Sequence, residues 1–165
     1  MITISEAGRN DIKIIQDITY KTWPITYGEI LTEEQLKYML DLFYSDEALT
    51  AQLDKKEQLF YLISDENSVL GFIGIEHNYK KEAITKIHKI YLLPETQGKG
   101  IGKSVMESIG NFALEHNSAS LYLNVNRFNK ALHFYEKTGF KIIDEVNIEI
   151  GNGYLMEDYV MEKRL

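Results

Sequence analysis

The chain contains no cysteine. That absence removes disulfides, thiolate nucleophiles and cysteine zinc sites together, and it fits a reducing compartment. Histidine is scarce as well: His77, His88, His116 and His133 are the four present, and none shows the short helical pairing of metal ligands. No metal is expected. No run approaches the roughly 18 to 20 apolar residues of a membrane helix. Met1-Ile2-Thr3-Ile4-Ser5-Glu6 lacks the basic start of a secretory signal. The expectation is a soluble cytoplasmic protein with no membrane partner. Positive charge is the minority sign, with 18 Lys and Arg against 25 Asp and Glu and a formal net charge of −7. Such a balance argues against nucleic-acid binding. It suits a cationic substrate, or simply keeps the protein in solution. The 165 residues fit one ordinary domain spanning residues 1–165.

Periodicity organises what is present. Ile2 to Ser5 reads as a first strand, and Ile12, Ile15, Ile18 and Thr19 recur at helical spacing behind a capping Asn10-Asp11. Trp23-Pro24 should interrupt or kink that helix. Thr32-Glu33-Glu34-Gln35 has capping-box spacing and starts a second helix, with further helical turns from Asp46 to Lys55. The period then changes. Gln58 to Ser64 and Val69 to His77 form a hairpin around Asp65-Glu66-Asn67-Ser68, and a third strand runs from Ile84 to Leu93, where Pro94 ends it. A helix from Lys103 carries Val105, Met106, Ile109, Phe112 and Ala113 on one face. Leu121 to Val125 is a strand, Asn129 to Thr138 a short helix, and Lys141 to Ile150 and Tyr154 to Lys163 are closing strands. The order implies an α/β domain with a mixed sheet.

Between the third strand and its helix lies Gln97-Gly98-Lys99-Gly100-Ile101-Gly102. Three glycines at every second position remove Cβ atoms from the path of a bulky anion, and the following helix start offers unpaired amides and a positive end. Two familiar phosphate motifs nearly match. Gly102-Lys103-Ser104 ends like a P-loop, but Gln97 occupies the place of its first glycine; the dinucleotide pattern fails because Lys103 stands at its last glycine.

The spacing that fits is Gln-x-x-Gly-x-Gly after a strand ending Leu92-Leu93-Pro94, and a second segment follows: Asn129-Lys130-Ala131-Leu132-His133-Phe134-Tyr135-Glu136-Lys137-Thr138-Gly139-Phe140. Together these resemble the Gcn5-related N-acetyltransferase superfamily, from about Val69 to Asp144. A Trp-x-x-x-Tyr at Trp23 and Tyr27 is similar to the spermidine/spermine acetyltransferase branch. The resemblance implies a mixed, mostly antiparallel six- or seven-stranded sheet flanked by helices, and acetyl transfer from acetyl-CoA to a primary amine. It assigns Ile90, Tyr91 and Leu92 to the pantetheine arm, with the Leu92 amide donating to the acetyl carbonyl. Gln97, Gly98, Lys99, Gly100, Ile101, Gly102 and Lys103 would hold the pyrophosphate, and Asn129 would contact CoA, although Phe128 stands where the family usually places its asparagine. Closing strands in this family often meet a partner, which implies a homodimer.

A lysine-like amine arrives protonated, with a reference pKa near 10.4, and a thiolate of pKa about 8.5 leaves better if it gains a proton. Tyr135 occupies the family's tyrosine position and is expected to supply that proton. His88 is the candidate base, on a face that alternation assigns to Lys86, His88 and Ile90; Glu76 on the neighbouring strand is the alternative. Lys86 stands where the family often has an acid. With no cysteine for an acyl-enzyme, direct attack is expected. The expected acceptor is a small-molecule or peptide amine, a polyamine among the candidates, met by Trp23, Tyr27 and the acids Glu29, Glu33 and Glu34. A non-catalytic acetyl-CoA sensor is the alternative.

Overall fold

The computed structural model describes residues 1–165. Strand β1 (Thr3–Glu6) is followed by helices α1 (Ile12–Tyr27), α2 (Glu33–Tyr44) and α3 (Asp46–Lys55). Strands β2 (Leu59–Ser64), β3 (Val69–Glu76) and β4 (Ile84–Leu92) come next, then α4 (Ile101–Glu115), β5 (Ser120–Asn126) and α5 (Ala131–Lys137). The chain closes with β6 (Lys141–Glu149) and β7 (Leu155–Arg164). All the strands join one seven-stranded sheet in the order β1-β2-β3-β4-β5-β7-β6. Only β4 and β5 are parallel neighbours. The mixed, mostly antiparallel sheet follows the expectation.

Local chemistry starts the helices where the sequence implies. Thr32 Oγ1 accepts from the Gln35 amide at 3.1 Å, and Ser45 Oγ from the Ala48 amide at 3.2 Å, so α2 and α3 each open on a side-chain cap. Two details differ from the sequence-based expectation. Helix α1 runs through Pro24 to Tyr27. Proline removes the bond to the carbonyl four residues back, that of Tyr20, a residue on the exposed side of the helix, while the buried Ile15, Ile18 and Trp23 hold the helix down. Helix α4 starts at Ile101, inside the glycine loop, so the loop's end is itself the first turn.

The core has two layers, one on each face of the sheet. Under α4 lie Ile73, Ile75, Ile87, Leu121, Leu123 and Met161 with the helix's own Val105 and Ile109. Under α1 to α3 lie Phe60, Leu62 and Phe72 with Ile15, Trp23 and Tyr44. Phe72 and Ile73 are both fully buried on opposite faces, and truncating such a side chain costs about 3–5 kcal/mol for Phe→Ala.

Two irregularities in the sheet position the site. Strands β4 and β5 pair only from Ile84 with Ser120 to Ile87 with Leu123, although β4 continues to Leu92 and β5 to Asn126. Beyond Ile87 they part into a gap. Gly74 pairs with Lys89 and Ile75 with Ile87, so His88 has no partner and is the extra residue of a β-bulge. The bulge corrects the face expected from alternation. Ile87, Ile90 and Leu92 pack toward α4 and Tyr91 toward α1. His88 and Lys89 both look toward the helices α1 to α3, and Ile90 does not join them.

Candidate active site

A groove of about 780 Å³ follows the gap between β4 and β5. Ile90, Tyr91 and Leu92 form one side. Gln97, Gly98, Gly100, Ile101, Gly102 and Lys103 close one end, whereas Lys99 points away from the lining and is exposed. Gly98 and Gly100 take φ of +77° and +71°, and a Cβ at either would meet open space. The main-chain N–H groups of residues 98 to 103 donate to no protein acceptor. Converging unpaired amides at a helix start are an anion cradle. Leu93 donates to the Leu70 carbonyl, and the antiparallel alternation therefore turns the Leu92 N–H away from β3 and into the gap.

The second segment forms the far wall. Gly102 lets α5 approach, since a Cβ there would stand 3.2 Å from the Phe134 ring. Tyr135 packs edge-on against Phe134 and Phe140 at 5.6 and 5.9 Å and lines the groove, and its hydroxyl has no hydrogen-bond partner within the protein. Burial pushes its hydroxyl well above the ordinary tyrosine range, so it holds its proton at neutral pH. Asn129 also borders the groove, but its Oδ1 accepts from the Ala131 amide at 2.9 Å. That contact ties down the turn ahead of α5, which begins at Ala131, two residues later than the sequence suggests.

A second cavity, of about 300 Å³, lies between the sheet and helices α1 and α2. It shares Tyr27, His88, Lys89, Tyr91 and Asn124 with the groove, so the two spaces meet there. The Tyr27 and Tyr91 hydroxyls stand 3.3 Å apart at this junction. Trp23 belongs to the wall, as expected. Glu33 and Glu34 do not: they sit exposed in the first turn of α2, where they complement the helix dipole, and Glu29 borders the groove.

His88 and Glu76, weighed as alternatives in the sequence, form a pair: His88 Nε2 lies 2.9 Å from Glu76 Oε1. An ionised carboxylate only accepts, so Nε2 carries the hydrogen and Nδ1 is left as the free lone pair. Burial, then Lys86 and Lys89, push the imidazole down to about 3; the adjacent carboxylate opposes that push. The net direction is downward and the ring is neutral at pH 7.

Two charged residues of the cavity escape sequence reading. Lys89 Nζ donates to Gln52 Oε1 and Gln58 Oε1, both at 2.8 Å, and faces the Phe60 ring at 5.2 Å. Burial pushes its ammonium down to about 7. Asp158 on β7 is 5 % exposed, and burial pushes its carboxyl up against the opposing effects of Asn124, Lys86 and Arg127. The available signal was one acid in phase with Met156 and Val160 along a strand. No group of three or more His, Cys, Asp or Glu side chains is arranged to hold a metal ion, and no helix is long and apolar enough to cross a membrane.

A family model described as the acetyltransferase (GNAT) domain matches residues 29–163. The chain belongs to the GNAT acetyltransferase family. This GNAT protein is 28% identical over 159 residues to an uncharacterised N-acetyltransferase, YuaI, of Bacillus subtilis, covering 95% of this chain and 90% of that one. It is 25% identical over 168 residues to a spermidine N(1)-acetyltransferase of Thermoplasma acidophilum, covering 99% and 97%. The crystal structure of PaiA N-acetyltransferase from Thermoplasma acidophilum in complex with coenzyme A superposes with a TM-score of 0.82 at 25% identity, covering 100% of this chain and 99% of that chain. The GNAT enzyme is an acetyl-CoA-dependent N-acetyltransferase, and the unpaired amides and open glycines of the loop fit a CoA pyrophosphate.

Proposed function

We propose that the acceptor is a small primary amine that enters the 300 Å³ cavity and attacks the thioester directly. One observation carries this reading: the cavity opens onto the groove at Tyr27, His88 and Tyr91. In this reading the amides of residues 98 to 103 seat the pyrophosphate, while Ile90, Tyr91 and Leu92 bind the pantetheine arm. The Leu92 N–H donates to the acetyl oxygen, where negative charge develops. The amine nitrogen bonds to the carbonyl carbon as the carbon–sulfur bond breaks, and Tyr135 gives its proton to the departing sulfur. A base held as low as His88 cannot keep a proton taken from an ammonium. The His88–Glu76 pair therefore acts as a relay, His88 Nδ1 accepting through water and passing the proton to solvent. A polyamine is the second reading, favoured by the buried Asp158 carboxylate and by the spermidine-acetylating relative.

A thiol-release assay with acetyl-CoA against alkylamines, polyamines, amino acids and peptide N-termini tests the proposal. Turnover of at least one small amine supports it. Tight CoA binding with no release from any of them would make the protein a sensor, and release with peptides alone would move the acceptor outside the cavity. We also assign the exposed β6 edge, with Ile142 at 45 % and Ile143 at 48 % exposure, to contact with a second copy. Sedimentation of a monomer at assay concentration would refute that contact.

A further inference from the structure

Lys89 lines both the groove and the cavity, at the junction of the two, and the protein gives it no acid to pair with. Its Nζ donates to Gln52 Oε1 and Gln58 Oε1 and to no third acceptor. Gln52 is fixed in that orientation, because its own Nε2 donates to the Phe43 carbonyl at 2.9 Å. An ammonium brings three hydrogens to these two oxygens and leaves one unmet, whereas a free amine brings two, fills both bonds and keeps its lone pair unused. The same pair of glutamines therefore holds either state. Losing or regaining the proton requires no rearrangement of the hydrogen bonds.

The surroundings favour the loss. Helix α3 presents Gln52, the residue before β2 is Gln58, the rings of Phe60 on β2 and Tyr44 on α2 lie 5.2 and 6.0 Å from Nζ, and β3 presents Gly74. The remaining titratable groups around the cavity are Tyr27 on α1, His88 and Tyr91 on β4 and Asp158 on β7. Burial pushes the hydroxyls of Tyr27, Tyr44 and Tyr91 up, so they stay uncharged; His88 is neutral, and Asp158 makes no ion pair with Lys89. Removal from water is left as the one influence on the ammonium, which it takes down to about 7. A lysine so placed is suited to take up a proton at neutral pH. It also stands next to the relay, since a charge on Lys89 is felt at the His88 imidazole.

We propose that Lys89 Nζ is the proton acceptor of the acetyl transfer: water in the cavity carries a proton from the incoming ammonium, past His88, to the free amine of Lys89. The acceptor nitrogen, now with a lone pair, bonds to the carbonyl carbon, and Lys89 leaves the step as an ammonium that later sheds its proton to solvent. This rests on the small-amine reading of the same cavity. It supplies what His88 lacks, a basicity sufficient to keep the proton.

The test is the pH dependence of kcat/KM for hexylamine, read by thiol release, in the wild type and in Lys89→Arg and Lys89→Met variants that melt cooperatively. The wild type should rise to about pH 7 and level off, because Lys89 is then free to take the proton that the amine still carries. Neither variant can do so, arginine because it never gives up its own proton. Each should be about 10²-fold slower at pH 7 and keep rising toward the amine's own pKa near 10.4, where most of the gap closes. 2,2,2-Trifluoroethylamine, which its fluorines leave unprotonated at pH 7, should be slowed far less. A Lys89→Arg profile that recovers the wild-type shape shows a role for charge or packing and overturns the proposal. So does a Lys89→Met profile parallel to the wild type, or an equal loss for both amines. Either result with hexylamine still turned over strikes Lys89 alone; acetylation of peptide amines only strikes the small-amine reading, and the same profiles on a peptide then decide Lys89.

Discussion

The groove and the 300 Å³ cavity share a wall of five residues, yet they are made of different materials. The groove's anion end is main chain: glycines, a helix start and amides whose direction follows from backbone geometry. The cavity is side chain, drawn from α1, α2, α3, β4, β5 and β7, and its character rests on two charges brought together by the sheet. A main-chain site demands residues at fixed short spacing. A side-chain site can be assembled from any strand that passes, so its chemistry is not tied to one short stretch of sequence.

The sharpest way to separate the two is Tyr135→Phe. If Tyr135 protonates the sulfur, kcat should fall by about 10²-fold or more with acetyl-CoA affinity nearly unchanged; unchanged saturated turnover at pH 7 would exonerate the hydroxyl. Gly100→Asp attacks the groove alone. A carboxylate beside the pyrophosphate seat should weaken CoA binding by about ten- to hundredfold in calorimetry, and normal affinity in a protein that still melts cooperatively would remove the anion from the loop. Asp158→Asn attacks the cavity alone, and kcat/KM for the amine should drop about tenfold while CoA titrations overlay the wild type. An equal loss for both ligands would mean the spaces are not independent.

The smallest effect is one of stability. Lys89 titrates at about 7 in the fold instead of 10.5, so between those values the unfolded chain binds more protons and stability gains as pH rises. Relative to Lys89→Met, the wild type should be least stable at pH 6 and should recover toward pH 10 in matched thermal melts. A constant difference in Tm would show that Lys89 is not desolvated.

Legibility in the sequence follows the same division. Loop 97–102 and the segment around Tyr135 are contiguous, so spacing alone carries their geometry, and the hairpins and capped helices are likewise local. Pro24 misleads because a proline deletes one hydrogen bond, and whether that matters depends on tertiary burial. His88 misleads more. A bulge cannot be counted from one strand, because it exists only in the register between Gly74-Ile75 and Ile87-Lys89. Asp158 lies 70 residues after His88 in the chain and reaches the site because β7 pairs with β5, setting it opposite Asn126.

The bulge at His88 has a consequence for how such a site changes over generations. Leave His88 out, and Thr85, Ile87, Ile90 and Leu92 still alternate in one frame with Lys86, Lys89 and Tyr91 on the other face. The histidine is thus a supernumerary residue spliced into β4 between two stretches already in phase. In the relay proposed above, its gain or loss would add or delete one proton-handling group beside the groove, while the core beneath α4 and the tilt of Lys89 into the cavity carry on undisturbed.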